Sequence, residues 1–494
     1  MVEFVEQVSD DDYEQLNKKN GFILVLSLLV AVLYDVLFYD KIAGISYPIF
    51  IILLYAVMYQ NMRKFLLKRW CFQCFLTLPV LALSLTYLFY SNQVLRTINS
   101  LLIPVMLVAH ILLITEKKQY DWFRWGFSKD ILHGLLVRPV AHISKIVHLI
   151  PKLTGKDNER TKYSIIKRVL VGIFLSLPVL VIVIALLSSA DLVFSNIVDK
   201  ALSNINFADI INQMLLIGFI TVLAGSYLWG LTYSARDQVC CQDVNPKLDE
   251  VGVLTGLCLL NIVYGVFSYI QFAYLFGSLS NLLPEGFTYA EYARRGFFEL
   301  VVVAIVNVAI VLGSLNLTKI SGVLPGRIFK ILNGGLVAST LVMLFSSFVR
   351  MYLYEEVYGY TYLRVFTHEF MLMLFFMLCI TLYRVWSGKL NLAKWYIVIS
   401  LISYVLVNYI NVDVFIAQKN MERYYKTGLI DVDYLAGMSY DTTPYLEELT
   451  EAPNALLATS AQKAIAVRQR ELALEGNWQS YNLSKQRAID LLNK

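Results

Sequence analysis

The chain has 494 residues, of which 57% are hydrophobic and only 16% charged, and its mean hydropathy is +0.59. A soluble globular chain carries about a quarter charged residues, so this composition excludes an ordinary soluble protein. The net charge of +5 is too small to select a partner, and nothing in the composition points to nucleic acid.

Residues 1–20 form an acidic N-tail (Glu3, Glu6, Asp10, Asp11, Asp12, Glu14). A secretory leader begins with a basic segment, so the first apolar block is expected to be a retained anchor. In a bilayer every backbone N–H and C=O must be satisfied internally, and runs of about 20 apolar residues therefore read as spanning helices. Eleven such runs occur: 21–39, 42–60, 70–90, 98–115, 165–188, 211–235, 250–276, 296–315, 328–349, 363–383 and 395–413. The ninth carries Asn333, Gly334 and Gly335 near its start, where the pattern leaves an interruption open. The predicted fold class is an all-α polytopic transmembrane bundle. Four spans (21–115) precede a long connection, and seven (165–413) follow it.

With the N-terminus inside, the inside loops hold 26 Lys and Arg and the outside loops seven. That asymmetry is the positive-inside signal, so the predicted orientation is N-in and C-out. Residues 116–164 are then cytoplasmic. They interleave Trp122, Phe123, Trp125, Ile131, Leu132, Leu136, Ile146 and Val147 with Lys and Arg. This pattern fits a helix lying on anionic lipid at the inner interface or a helix packed on the end of the bundle. The tail, 414–494, is polar enough to be a helical extracytoplasmic segment. Asp441-Thr442-Thr443-Pro444 marks a helix start, with Pro where its missing N–H costs nothing. Helical spacing continues over 453–475 and about 484–492. Residues 68–94 and 167–193 align without gaps through Phe75-Leu76-Thr77-Leu78-Pro79 and Phe174-Leu175-Ser176-Leu177-Pro178. The two segments share a direction, so the match suggests a parallel repeat, with convergence as the alternative.

Phosphate-loop, dinucleotide and nucleophile-elbow motifs are missing, and His368-Glu369 lacks the second His of a zinc motif, because Leu372 stands there. No enzyme, cofactor or metal is predicted. The chemistry-bearing residues are ionisable groups at the predicted outer ends of the spans: Asp191, Glu291, Arg294, Arg295, Glu299, Arg364, His368, Glu369 and Asp413. Charge at membrane depth is costly unless paired or hydrated, and by default it marks a functional site. The cheapest arrangement pairs Glu299 with Arg364 or Arg295 and leaves His368 free to titrate. A network that only locks helix ends is the alternative. The tyrosines at 352, 354, 358, 360 and 362 read as an interfacial belt.

Three segments carry a family resemblance: Ser189-Ala190-Asp191-x-Val193-Phe194, then Glu291-Tyr292-Ala293-Arg294-Arg295-Gly296-Phe297-Phe298-Glu299-Leu300, and Asn411-x-Asp413 running into Ala417-x-x-Asn420-x-x-Arg423-Tyr424. Together they resemble the domain-of-unknown-function family forty-one seventy-three, with its relative forty-one fifty-three, over residues 165–445. Trp478 and Asn482 in the tail fit as well. The resemblance implies a bacterial cytoplasmic-membrane protein and supplies no substrate. Two functions remain open. One is a transporter-like or lipid-handling protein with a charged outer vestibule. The other is a non-transporting sensor or assembly partner whose tail contacts cell-envelope machinery.

Overall fold

The computed structural model describes residues 10–66, 72–115, 118–147, a few positions between 176 and 194, and then 207–233, 248–276, 297–388, 390–474 and 476–493. Among these residues the regular elements are helices, and the only β-type contact is an isolated bridge between Leu248 and Thr318. In chain order they are α1 (Asp10–Phe38), α2 (Ser46–Leu66), α3 (Phe72–Phe89) and α4 (Gln93–Ile114). The short α5 (Phe127–Leu132), a π-helical turn (His133–Val137) and α6 (Arg138–Ala141) follow. Next come α7 (Phe207–Tyr233), α8 (Glu250–Phe276), α9 (Phe297–Leu317), α10 (Val323–Tyr358), α11 (Tyr362–Ser387) and α12 (Leu392–Tyr409). The tail contains α13 (Val412–Thr427), α14 (Val432–Ala436), α15 (Thr443–Thr450), α16 (Ala455–Leu474) and α17 (Leu483–Leu492).

Eight of these helices are long and apolar enough to cross a membrane, and Ser46–Met58 and Phe75–Phe89 are shorter apolar helices. Most of the segment expected at 165–188, and with it most of the second copy of the repeat, lies outside the described residues. The faces turned away from neighbours are apolar. On α8, Val251, Leu259, Ile262, Val263, Val266 and Tyr269 are each more than half exposed. A soluble monomer rarely exposes more than a few hundred Å² of contiguous apolar surface, whereas hydrocarbon accepts such a face without penalty. The chain is an all-α polytopic membrane protein.

The chain folds as two units. In the first, α1 packs along α7, and the Tyr233 hydroxyl donates to Asn20 Oδ1 at 2.7 Å, so the last residue of α7 meets the first half of α1. Tyr55 and the buried His110 meet at 3.0 Å. The segment after α5 settles on this unit through Gly134, which lies close to Val108 and Leu112, and through the fully buried Ile146 beside Gly225. Its opposite face leaves Leu132, Leu136, Val137, Val140 and Val147 exposed. One face of this segment is therefore packed on helices, and the other is bare and apolar.

The second unit has two apolar cores. One lies among α8, α9, α10 and α11, around Leu257, Val311, Leu336, Leu344, Met371 and Leu378. Amides stitch these helices together: Asn307 donates to Thr340 at 2.9 Å, Ser314 to Asn333 at 2.7 Å, and Asn261 to the Leu332 carbonyl at 3.0 Å. Helix α10 runs unbroken through Asn333-Gly334-Gly335 for 36 residues. A Cβ on Gly335 would stand 2.4 Å from Asn261 Oδ1, so the glycine provides close approach and causes no break. At ~1.5 Å per residue this helix is about 54 Å long, well beyond the ~30 Å hydrocarbon layer. The other core belongs to the tail, where Val412, Ile416, Ala417, Leu435, Leu446, Leu449 and Ala461 pack with Leu95, Tyr360 and Val407. Tail and helix ends therefore share one core. Asp413, expected at the end of the last span, instead lies in the first turn of α13, after α12 has stopped at Tyr409.

Candidate functional site

The tail-bearing ends of α10 and α11 are joined by the tight turn Gly359-Tyr360-Thr361. Gly359 has φ +82° and ψ 172°, a region open essentially to glycine alone. Asn420, one helical turn beyond Ile416 on the buried face of α13, reads this turn like a neighbouring strand. Its Nδ2 donates to the Tyr360 carbonyl at 2.9 Å and its Oδ1 accepts from the Tyr360 N–H at 2.8 Å. Arg423, three residues on, donates from Nε and Nη2 to the Val357 carbonyl and from Nη1 to that of Leu429. The Asn420-x-x-Arg423 pattern is thus a clamp on the α10–α11 turn.

A second cluster lies on the same helix. Asn92 caps α4 by accepting from the Leu95 N–H at 2.8 Å, and its amide donates to Asp413 Oδ1 at 2.8 Å. The Tyr362 hydroxyl donates to the same oxygen, and the Tyr362 N–H donates to the Tyr434 hydroxyl at 2.9 Å. Asp413 is 1% exposed. Burial raises its carboxyl above the ordinary value, while Ser439, Tyr362 and Asn92, and the charge of Arg468, act against that rise. Its Oδ2 and the Ser439 hydroxyl both lack a partner at good hydrogen-bond geometry. Asp441 is raised in the same way, first by burial and then by the charge of Asp413, with Ser484, Asn411 and Arg487 opposing.

Arg468 holds the tail together from within. It is 4% exposed and donates to the carbonyls of Leu435, Ala436 and Met438 and to the hydroxyls of Thr442 and Thr443, at 2.9–3.2 Å. The C-terminal helix is tied down by Asn482. This residue caps α17 through the Lys485 N–H and donates to the carbonyls of Tyr87 and Tyr90, which stand at the end of α3. Ser484 meets Ser91 at 2.8 Å, and Ser91 also accepts from the Tyr440 N–H. Lys485 is pushed down to about 8 by burial and by the nearby charge of Arg96.

A third group lies between α10, α11 and α12. His368 Nδ1 is 3.3 Å from Glu355 Oε2, and its Nε2 is 3.3 Å from the Phe348 carbonyl. Ser403 donates to Glu369. Arg364 donates to the Gly359 carbonyl and lies over the Tyr354 ring, 4.4 Å from its centroid.

The residues selected from the sequence are distributed as follows. Arg364, His368 and Glu369 share the first two turns of α11, and Asp413 meets that helix through Tyr362. Glu299 is exposed on α9 and forms no ion pair with Arg364, whose guanidinium is taken by Gly359 and Tyr354. Asp191 belongs to the first unit, where it accepts from the Phe194 N–H at 3.1 Å. Glu291, Arg294 and Arg295 lie outside the described residues. The expected tyrosine belt is divided. Tyr352 and Tyr358 are about half exposed, whereas Tyr360 is buried in the tail core and Tyr362 is bonded to Asp413. Glu355 and Arg468 were missed, although both carry a signal: each interrupts a buried stripe at helical spacing, Ser347-Met351-Glu355 on α10 and Ala461-Arg468-Leu472 on α16. Among the described residues no group of three His, Cys, Asp or Glu could hold a metal ion.

These features define a class, a multi-span helical membrane protein whose folded helical tail is clamped to the ends of its helices. The chain belongs to the family described as Domain of unknown function (DUF4153), which matches residues 77–449. That is the family the resemblance had placed as the relative. No curated protein and no solved structure matches the chain.

Proposed function

We propose that the chain is a non-transporting platform in a bacterial cytoplasmic membrane, with its tail on the extracytoplasmic side, where it presents a rigid surface to a protein partner of the cell envelope. One observation carries this reading. Asp413, Asn420, Arg423 and Asn482, which are among the residues that carry the family resemblance, make bonds that fasten the tail to the helix ends. A tail held this way pays its ordering entropy on folding and not on binding, which favours a docking platform over a mobile gate. The tail also offers a contact region, an open groove of about 260 Å³ bordered by Leu472, Trp478, Tyr481, Gln486 and Ile489. Orientation rests on the 26-to-seven loop asymmetry. The same asymmetry makes residues 116–164 cytoplasmic, and the bare apolar side of 132–147, beside the exposed Lys129 and Lys145, fits contact with anionic lipid.

The competing reading is a transporter-like or lipid-handling protein that uses Asp191, Glu299, Arg364, His368 and Glu369. A photo-crosslinking residue at Tyr481, in intact cells, separates the two. The platform reading expects one discrete protein adduct that disappears with Trp478→Ala. It fails if that adduct is absent while proteoliposomes accumulate a solute in a manner abolished by His368→Ala.

A further inference from the structure

We infer that the groove on the tail takes an acidic segment of the protein partner, with a carboxylate of that segment seated on Lys485. This rests on the platform reading and adds the partner's chemistry to it. Among the described residues that line the groove, Lys485 is the one charged side chain, and the rest of the lining is aromatic, amide, hydroxyl or aliphatic. Lys485 is 8% exposed, and its ammonium lies 5.6 Å from the centroid of the Tyr440 ring. The ammonium and the indole N–H of Trp478 only donate hydrogen bonds, whereas a carboxylate only accepts them. A carboxylate therefore matches what the groove offers, and a basic segment does not.

The surroundings favour a negative occupant. Arg96, in the first turn of α4, donates to the Tyr87 carbonyl at 3.3 Å and lies 5.1 Å from the centroid of that ring. Its charge reaches Lys485 and, after burial, is what holds the ammonium down at about 8. An incoming carboxylate relieves the repulsion between the two cations and restores the charge that burial disfavours. A charge-assisted bond of this kind is about twice as strong as a neutral one. The nearby carboxylates are engaged and stand outside the lining. Glu471, exposed on α16, accepts from the Tyr440 hydroxyl at 3.4 Å and acts on Lys485 from there. Asp490, exposed on α17, accepts from the Gln486 amide at 2.8 Å. Of the other cations, Arg468 is taken by tail carbonyls and hydroxyls, and Arg487 is exposed. Beside the charge, Trp478 and Tyr481 stand 56% and 41% exposed. They offer the segment the rigid aromatic contact that carries binding energy at interfaces.

The test offers the full chain, in nanodiscs of zwitterionic lipid, three pools of blocked hexapeptides that are random except for a fixed central Glu, Gln or Lys. At pH 7 the Glu pool should be retained at least tenfold better than the other two. The preference should fade as pH rises beyond about 8, where Lys485 loses its proton, and it should disappear in Lys485→Gln. Equal retention of the three pools, or retention of none, overturns the inference, as does a preference for Lys. An acidic preference that survives Lys485→Gln places the charge elsewhere and overturns it too. Loss of Glu-pool retention when phosphatidylglycerol is added to the nanodisc assigns the groove to lipid, with the same consequence. The pools on the wild type decide the matter even if the variant does not fold. The two readings also fail separately. A Tyr481 adduct in cells without acidic preference leaves the platform standing and removes the acidic segment, whereas acidic preference without an adduct removes the platform.

Discussion

Arg468→Met tests whether a single buried cation organises the tail. The substitution keeps the apolar stem and a similar volume, so packing in the core of α14, α15 and α16 is nearly conserved. What disappears is the five-acceptor fork. Thr442 and Thr443 keep their own bonds, to the Leu435 and Ser439 carbonyls and to the Tyr440 carbonyl. The Leu435 carbonyl also keeps the Met438 N–H at 3.2 Å. The Ala436 and Met438 carbonyls lose their Arg468 donor in a buried site. Each of the two stranded acceptors costs about 1–3 kcal/mol, so together they cost about 2–6 kcal/mol. At ~1.4 kcal/mol per tenfold, the population of locally opened tail rises by a factor of about 30 to more than 1,000. Limited proteolysis of the full chain in detergent, followed at residues 428–475, measures that population when reclosing is fast. Arg470→Met, on the exposed side of the same helix, is the control and should change the rate by less than about threefold. An increase below about tenfold for Arg468→Met would refute the reasoning.

Two further outcomes follow from the same contacts. Gly359→Ala places a Cβ 2.8 Å from Asn420 Oδ1 at a positive φ, adding about 1–3 kcal/mol of strain to a weakened Asn420 clamp. Gly428→Ala, with open space around it, should cost only about 1–2 kcal/mol, and thermal melts that reverse this order would contradict the clamp. The tail's stability should also depend on pH with a defined sign. Asp413 and Asp441 are raised from 3.8 by burial, so the folded tail binds their protons more tightly than the unfolded one. Its stability therefore falls as pH rises from about 3.8 through their folded values. Lys485 is lowered from 10.5 to about 8, so stability rises with pH between those two values. Asp413→Asn should flatten the acidic limb and Lys485→Met the alkaline one, as read from denaturation midpoints across pH.

The residue order by itself determined the class of this protein. Apolar runs long enough to satisfy their own backbone in hydrocarbon place the helices, and Gly388 and Gly428 end two of them in the left-handed conformation that glycine adopts without strain. The chemistry-bearing residues were legible only as charged positions on those helices. Tertiary structure decided which of them meet. Asn92 reaches Asp413 across 321 positions and Asn482 reaches Tyr87 across 395, and no local spacing encodes such pairs. Periodicity can show that Glu355 and Arg468 interrupt an apolar stripe. Whether a buried charge there finds an imidazole or a fork of carbonyls depends on which other helix the packing brings beside it.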